Sequence, residues 1–277
     1  METVELTVRT NCDSLIGKQP LKPIGRVIGE PVTLTHEGQT IGVYQKLSPS
    51  LVRKLKQVSV ETKSVKGKRL LGLPTSASIF GSLPRNPVRA DYCRLSKNSL
   101  VESKLLGLVQ ACSREVCAVY QDLLPVQYEA QIEASNKIKT DWKIEKTPFT
   151  TVNFNKNTAI KYHRDRANQS RVFSSVIILR SGITGGELVM PEFRVSLAQG
   201  DGFMLLFDGQ SIIHGVCPIN RVSSDGYRTS VVLYAMQQME NCYPFAEERE
   251  RTKTQRTKKE SYWRPTREQL GKDRGLQ

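Results

Sequence analysis

The chain has 277 residues, of which 38% are hydrophobic, so it can bury one large domain with additions or two small domains. No run approaches the ~18–20 apolar residues of a membrane span, and the polar start METVELTVRT matches neither a signal peptide nor a transit sequence. We therefore expect a cytoplasmic protein that does not bind membranes, and the formal net charge of +14 is typical of a protein that binds a polyanion.

The first part of the chain predicts short strands, then one helix, then a loop. The segments VELTVRT, GRVIG, PVTLTH and QTIGVYQ read as strands, with His36-Glu37-Gly38 as a hairpin turn. Ser48 followed by Pro49 predicts the start of a helix over LVRKLKQV. Gly, Pro, Ser and basic residues dominate from Lys63 to Asn98, which predicts a long, largely irregular, functional loop.

A strongly periodic segment follows this loop. Between Ser99 and Leu124 apolar residues recur at steps of three and four, which predicts one long helix that Pro125 ends. A second helix is expected over Gln127 to Ser135.

After Trp142 the pattern changes to strands separated by Gly-containing turns. The predicted strands are FTTVNFN, TAIKYH, VFSSVIILR, GELVMP, FRVSLAQ, GFMLLF, SIIHGV and RTSVVLYAM. Their number and spacing predict an α+β fold with a double-stranded β-helix (jelly-roll) core backed by N-terminal helices. We divide the chain into 1–97 (strands, a helix and a basic loop that contacts nucleic acid), 98–244 (helices and the jelly-roll core) and 245–277 (a charged tail).

The cysteines form no recognisable framework. None of the six belongs to a CxxC pair, so we expect reduced thiols and no structural zinc site.

The positive charge is concentrated in one segment. Residues 49–97 hold 11 Lys and Arg against 2 acidic residues, Glu61 and Asp91. Such a cluster predicts a face that binds a polyanion, with a solvated loop as the alternative.

Two of the three histidines stand where a metal site needs them. His163 and Asp165 form a His-x-Asp triplet, and residues i and i+2 of a strand point to the same side. His214 follows in another predicted strand, which brings a second imidazole. Two imidazoles and one carboxylate are the ligands of non-haem Fe(II) oxygenases. The alternative is a surface His–Asp pair and a core histidine.

The last predicted strand carries a cation on one face. In RTSVVLYAM, alternation puts Arg228, Ser230, Tyr234 and Met236 on the face towards the cavity, and the other face outward against helices. A buried arginine needs an anionic partner, and the dicarboxylate 2-oxoglutarate, the usual cosubstrate of such iron enzymes, fits the bidentate guanidinium.

Five segments together resemble a known family. FGSLPRNPVRADYC, TPFTTVNFNKNTAIKYHRDRAN, TGGELVMPEFRV, QGDGFMLLFDGQSIIHGV and RTSVVLYAM look like the ten-eleven-translocation/J-binding-protein (TET/JBP) family of Fe(II)/2-oxoglutarate dioxygenases, most of all its short bacteriophage forms. The resemblance runs from about Phe80 to Met236. It implies hydroxylation of the 5-methyl group of a pyrimidine in nucleic acid, with O₂ as co-substrate.

The resemblance also assigns roles. His163, Asp165 and His214 match the iron ligands, and Arg228 with Ser230 matches the anchor of the cosubstrate. Asn168 matches an asparagine that faces the target base, and Tyr234 matches a tyrosine that stacks near it. Met236 departs from the family, because several relatives have a histidine there.

Some of these assignments have alternatives. Tyr234 could be a core tyrosine and Asn168 could cap a turn. Asn153 and Asn155, on the strand before His163, are candidates to reach the cosubstrate, and Arg85 is a candidate for a second cosubstrate or phosphate contact.

Together these features predict an enzyme that converts 5-methylcytosine in DNA to 5-hydroxymethylcytosine. Because a duplex hides the methyl group, the base must be flipped out or the strand must be single. Alternatives are a thymine 5-hydroxylase, a protein or small-molecule 2-oxoglutarate hydroxylase, and a nucleic-acid-binding module with a vestigial site.

Overall fold

The computed structural model describes the backbone of residues 1–62, 65–68, 74–84 and 93–263, and side chains in 1–62, 76–84 and 93–254. Within these ranges the strands are β1 (Glu2–Glu5), β2 (Arg26–Ile28), β3 (Val32–His36), β4 (Gln39–Lys46), β5 (Val65–Lys68), β6 (Pro74–Leu83), β7 (Arg94–Leu95), β8 (Thr151–Lys156), β9 (Ile160–His163), β10 (Ser174–Ser181), β11 (Ile183–Gly185), β12 (Leu188–Met190), β13 (Val195–Leu197), β14 (Phe203–Phe207), β15 (His214–Val216), β16 (Ile219–Arg221) and β17 (Tyr227–Tyr234).

The helices are α1 (Pro49–Glu61), α2 (Lys97–Val101), α3 (Ser103–Leu123), α4 (Pro125–Ser135) and α5 (Phe245–Trp263). Short 3-10 turns occupy Asp13–Leu15, Thr140–Trp142, Pro191–Phe193 and Gln237–Asn241. None of the helices in the described ranges is long and apolar enough to cross a membrane.

Two facing sheets form the core. The larger has the order β1-β3-β4-β14-β10-β17-β8-β6-β5, with β7 added beside β6, and the smaller has the order β2-β13-β12-β15-β9. Neighbours are antiparallel except where β1 meets β3 and β2 meets β13. This arrangement confirms the predicted α+β fold with a jelly-roll core. Because β1, β3 and β4 extend the larger sheet, the N-terminal segment is hydrogen-bonded to the core; its separate role stays a prediction.

The larger sheet is buried on both faces. Its inner face packs against the smaller sheet through Tyr44, Leu205 and Phe207, which are fully buried. Its outer face packs against α1 and α3 through Val231 and Leu233, as the alternation along β17 predicts. Burying one such side chain contributes about 1.5–3 kcal/mol, so this helix layer fixes the sheet that carries the site.

Local signals place α1 and the first hairpin correctly. The Ser48 hydroxyl accepts a hydrogen bond from the Leu51 amide at 3.3 Å, and Pro49 occupies the first helical turn. Glu37 and Gly38 both have positive φ, which is the backbone of a two-residue hairpin turn between β3 and β4. Both predictions are confirmed.

The prediction of an irregular loop from Lys63 to Asn98 is wrong where the structure describes it. Strand β6 spans ten residues of this segment and pairs with β8 over six positions, and β5 pairs with β6 at the sheet edge. The segment lacks polar and apolar alternation because both faces are buried around Ser78 and Phe80. The long helix is also divided, because Glu102 leaves helical geometry between α2 and α3.

The prediction that all six cysteines are reduced is wrong for one pair. Cys93 and Cys242 form a disulfide across 149 residues of sequence, beside α5. The other four, Cys12, Cys112, Cys117 and Cys217, are free. A pair this far apart leaves no spacing pattern in the sequence, because the fold alone brings the two segments together.

Candidate active site

The structure brings the three predicted metal ligands together between β9 and β15. His163 and His214 are direct cross-strand partners, and their ring centroids are 4.3 Å apart. Asp165 follows β9 and places its two carboxylate oxygens 3.3 Å from His163 Nε2 and 3.8 Å from His214 Nε2. One donor atom from each residue lies within 4.8 Å of the others, so the three could hold one metal ion.

Backbone carbonyls orient both imidazoles. The Nδ1 atom of His163 lies 2.8 Å from the Lys161 carbonyl oxygen, and that of His214 lies 3.0 Å from the Ile212 carbonyl oxygen. A carbonyl only accepts, so each Nδ1 carries the proton and each Nε2 keeps a lone pair. This is how metal-binding histidines are held in proteins.

The environment of His214 keeps its ring neutral. Burial lowers its pKa to about 4, with a further lowering from His163 that the Asp165 carboxylate opposes. The edge of the Phe207 ring packs against it with centroids 4.9 Å apart. A metal ligand must be the neutral imidazole, so the site is ready to bind an ion at neutral pH.

A glycine makes room for the carboxylate. The Asp165 amide donates to the Gly209 carbonyl oxygen at 2.8 Å, which fixes the chain just after β9. A Cβ atom on Gly209 would lie 2.7 Å from Asp165 Oδ2, closer than such atoms approach. The position of the carboxylate therefore depends on the absence of a side chain at Gly209.

Arg228 is buried on the inner face of β17 without a counter-charge. Its Nη2 donates to Gln199 Oε1 at 3.1 Å, while Nε and Nη1 are buried without a partner among the described residues. Burial first, and the neighbouring Arg180 second, lower its pKa to about 10, so the guanidinium stays charged at neutral pH. An unpaired buried cation is expensive, so the arrangement fits an anionic ligand.

Polar side chains continue this face. Ser230 lies beside Arg228 in alternation, opposite Asn155 of β8, and Asn153 lies two positions further along β8. Asn155 and Ser230 are buried, and Asn153 Oδ1 has no hydrogen-bond partner within the described residues. The predicted cosubstrate residues of β8 and β17 thus share one surface inside the barrel.

The comparison with known families agrees with this site. Residues 83–237, more than half of the chain, match the family Tet_JBP, described as the oxygenase domain of the 2OGFeDO superfamily. The chain belongs to the Tet_JBP family. Its cofactors are therefore Fe(II) and 2-oxoglutarate, and the His163–Asp165–His214 cluster has the ligands that the iron needs.

Solved structures show the same fold. NgTET1 in complex with 5mC DNA is 14% identical, with TM-score 0.59, over 80% of this chain and 83% of that one. A 2OG-Fe(II) oxygenase family oxidoreductase from Burkholderia pseudomallei is 14% identical (TM-score 0.45; 71% and 85% covered). The viral collagen prolyl hydroxylase of Paramecium Bursaria Chlorella virus-1 is 12% identical (TM-score 0.36; 70% and 96% covered). No curated protein compared with the chain matches it significantly.

In this Tet_JBP domain the two predicted base-facing residues lie at the end of β17 near the metal ligands. Asn168 is buried in the turn after Asp165, where its amide donates to the Asp165 carbonyl oxygen at 2.9 Å. Its side-chain Nδ2 donates to the Ser174 hydroxyl at 3.0 Å. Tyr234 is half-buried and is the last residue of β17.

Met236 does not lie where alternation predicts. The strand ends at Tyr234, and Met236 forms an isolated bridge with Asn168 while its side chain packs against the cluster of Cys93 and Trp142. The extrapolation from β17 fails because residues beyond a strand end no longer follow its twofold repeat.

The oxygenase domain also contains a clasp that the sequence does not reveal. Arg164, between two ligands, donates from Nε to the Ser211 carbonyl oxygen at 2.9 Å and from Nη2 to Glu192 Oε1 at 3.0 Å. The other oxygen of Glu192 accepts from the Ile213 amide at 2.6 Å. The buried Glu192 thus ties the two segments that carry the ligands. Alternation puts Arg164 opposite to the ligands but does not identify its partner.

The predicted basic surface is only partly described. Lys54 pairs with Glu115 at 2.5 Å and Lys56 pairs with Asp201 at 2.7 Å, so these two cations have partners within the protein. Arg85 and the side chains of Lys63, Lys66, Lys68 and Arg69 lie outside the described residues.

Proposed function

We propose that this oxygenase hydroxylates the 5-methyl group of 5-methylcytosine in DNA and forms 5-hydroxymethylcytosine. The family match supports an Fe(II)/2-oxoglutarate dioxygenase, and NgTET1, which shares the fold, has been solved with 5mC DNA. The observation that carries the reaction is the cluster of His163, Asp165 and His214 beside the unpaired guanidinium of Arg228.

In this proposal each residue has one task. His163, Asp165 and His214 hold the iron, which with 2-oxoglutarate and O₂ supplies the oxidising power for hydroxylation. Arg228 and Ser230 anchor the distal carboxylate of 2-oxoglutarate, and Asn153, Asn155 and Arg85 complete its surroundings. The edge of Phe207 and the barrel walls exclude water from the reacting C–H bond.

The orientation of Asn168 supports cytosine over thymine. Its Nδ2 is engaged by Ser174, and its Oδ1 has no hydrogen-bond partner among the residues described. The group left for a ligand is therefore an acceptor, which pairs with the exocyclic amino group of cytosine. Thymine presents a carbonyl oxygen at the same position, so it would leave two acceptors facing each other. Tyr234 offers the stacking surface for the flipped base.

The basic segment 49–97 supports DNA as the polymer. With Lys54 and Lys56 paired within the protein, we assign the phosphate contacts to Lys63, Lys66, Lys68 and Arg69. Such contacts give affinity that depends on salt and little on sequence.

One experiment tests the substrate. The enzyme, Fe(II) and 2-oxoglutarate are incubated with two duplexes that differ only in carrying 5-methylcytosine or cytosine, and nucleosides are quantified by mass spectrometry. We expect 5-hydroxymethylcytosine from the methylated duplex alone, and none with His214→Ala. Appearance of 5-hydroxymethyluracil in both duplexes, without 5-hydroxymethylcytosine, would assign thymine instead.

Two variants sharpen this test. Asn168→Ala lowers turnover far more than DNA affinity, because the base contact follows phosphate binding. Ser174→Ala frees the Asn168 amide to present either end, so it narrows the preference for cytosine over thymine. If neither duplex binds or reacts while 2-oxoglutarate is turned over on other acceptors, the substrate is a protein or small molecule.

A further inference from the structure

The loop between β13 and β14 places an unassigned amide beside the cosubstrate anchor. Gln199 is completely buried, and its Oε1 accepts from Arg228 Nη2 at 3.1 Å. Its Nε2 has no hydrogen-bond partner within the described residues, and the same holds for Nε and Nη1 of Arg228. Neighbouring buried groups thus present only unused N–H donors, which is the arrangement that a carboxylate satisfies.

The backbone of Gln199 is held in an unfavourable conformation. Its φ of 57° lies in the left-handed region that residues with a side chain rarely adopt. Arg180, the cross-strand neighbour of Arg228, donates from Nη1 to the carbonyl oxygen of Gln199 at 3.3 Å. The hydroxyl of Tyr44 accepts from the Gly200 amide at 2.9 Å. Strain that surrounding contacts maintain is typical of a functional position.

The chemistry fixes which end of the amide is available. A guanidinium only donates, so the amide oxygen must face Arg228 and the NH₂ group remains. We propose that Gln199 is a second ligand of the distal carboxylate of 2-oxoglutarate, donating from Nε2 while its Oε1 orients the Arg228 guanidinium. This inference rests on the cosubstrate of the family and is independent of the DNA substrate.

The inference predicts selectivity between two small acids. The acid 2-oxopentanoate has the same carbon chain as 2-oxoglutarate but ends in a methyl group, so it needs no donor there. Gln199 therefore strengthens binding of 2-oxoglutarate and leaves that of 2-oxopentanoate unchanged.

Calorimetry on the full chain loaded with Mn(II), which prevents turnover, measures both affinities. Gln199→Leu weakens 2-oxoglutarate binding about tenfold to hundredfold, the loss expected for one hydrogen bond to a charged group. Gln199→Glu weakens it further, because the new carboxylate keeps an acceptor for Arg228 but repels the ligand. Neither variant changes 2-oxopentanoate binding. Tyr44→Phe, the control, lowers the unfolding temperature and leaves the ratio of the two affinities unchanged.

Two results would overturn the proposal. Wild-type affinity for 2-oxoglutarate in Gln199→Glu would show that the amide holds Arg228 without donating to the ligand. Equal weakening of both acids in Gln199→Leu would show a general structural role. If Gln199→Leu does not fold, the comparison of Gln199→Glu with wild type decides alone, since that side chain has the same shape.

Discussion

The clasp between Arg164 and Glu192 gives a sharp prediction about the metal site. Replacing Glu192 with Ala removes the acceptor for the Ile213 amide and for Arg164 at once. These two hydrogen bonds join the segments that end in His163 and begin with His214. We therefore expect both a less stable protein and weaker metal binding.

The structure sets the size of both effects. The Ile213 amide is buried and would be left without an acceptor, which costs about 1–3 kcal/mol. Arg164 keeps Asp13 and is partly exposed, so its share is smaller. Together the decrease in folding free energy is about 3 kcal/mol. Misplacing the ligands lowers metal affinity ~10- to 100-fold, as removal of groups that orient ligands does.

Urea unfolding of the metal-free protein and calorimetric titration with Mn(II) measure the two quantities separately. Glu192→Gln, which keeps the shape and one acceptor, should show smaller decreases in both. Glu115→Ala is the matched control, because it breaks the exposed pair with Lys54 and costs about 0–1 kcal/mol. Its metal affinity should equal that of the wild type.

One result would refute the reasoning. If Glu192→Ala loses stability but binds Mn(II) as tightly as Glu115→Ala, the clasp supports the fold without positioning the ligands.

The cosubstrate anchor, the metal site and the basic segment each give a further prediction. Arg228→Lys keeps the charge but loses the planar fork, so KM for 2-oxoglutarate should rise substantially in succinate-release assays; an unchanged KM would place the anchor elsewhere. Gly209→Ala should weaken Mn(II) binding in calorimetry, because the new Cβ would lie 2.7 Å from Asp165 Oδ2, and wild-type affinity would mean that the carboxylate can move. Neutralising the basic cluster should weaken DNA binding and flatten its log–log salt dependence by up to about one unit for each phosphate that is no longer bound, whereas unaltered binding would make it a solvated surface: Lys63, Lys66, Lys68 and Arg69.

Local chemistry decided the parts of this protein that the sequence predicted well. The start of α1 follows from Ser48 and Pro49, and the outward face of β17 follows from the twofold repeat of a strand. The spacing of His163 and Asp165 predicts a shared direction for the same reason. In each case the interacting groups are a few residues apart, so the pattern is visible in the sequence.

Contacts between distant segments needed the tertiary structure. The strand β6 forms because β8 supplies its hydrogen bonds, although its own residues read as a loop. Cys93 and Cys242 meet only when α5 packs against the core.

The two most informative polar contacts of the site belong to the same class. Glu192 joins the ligand segments, and Gln199 meets Arg228 from a loop 29 residues away. The sequence by itself determined which residues carry the chemistry, because their types and short spacings are fixed by it. Only the tertiary structure decided how they are oriented, because burial removes water and leaves each polar atom to the partner that the packing provides.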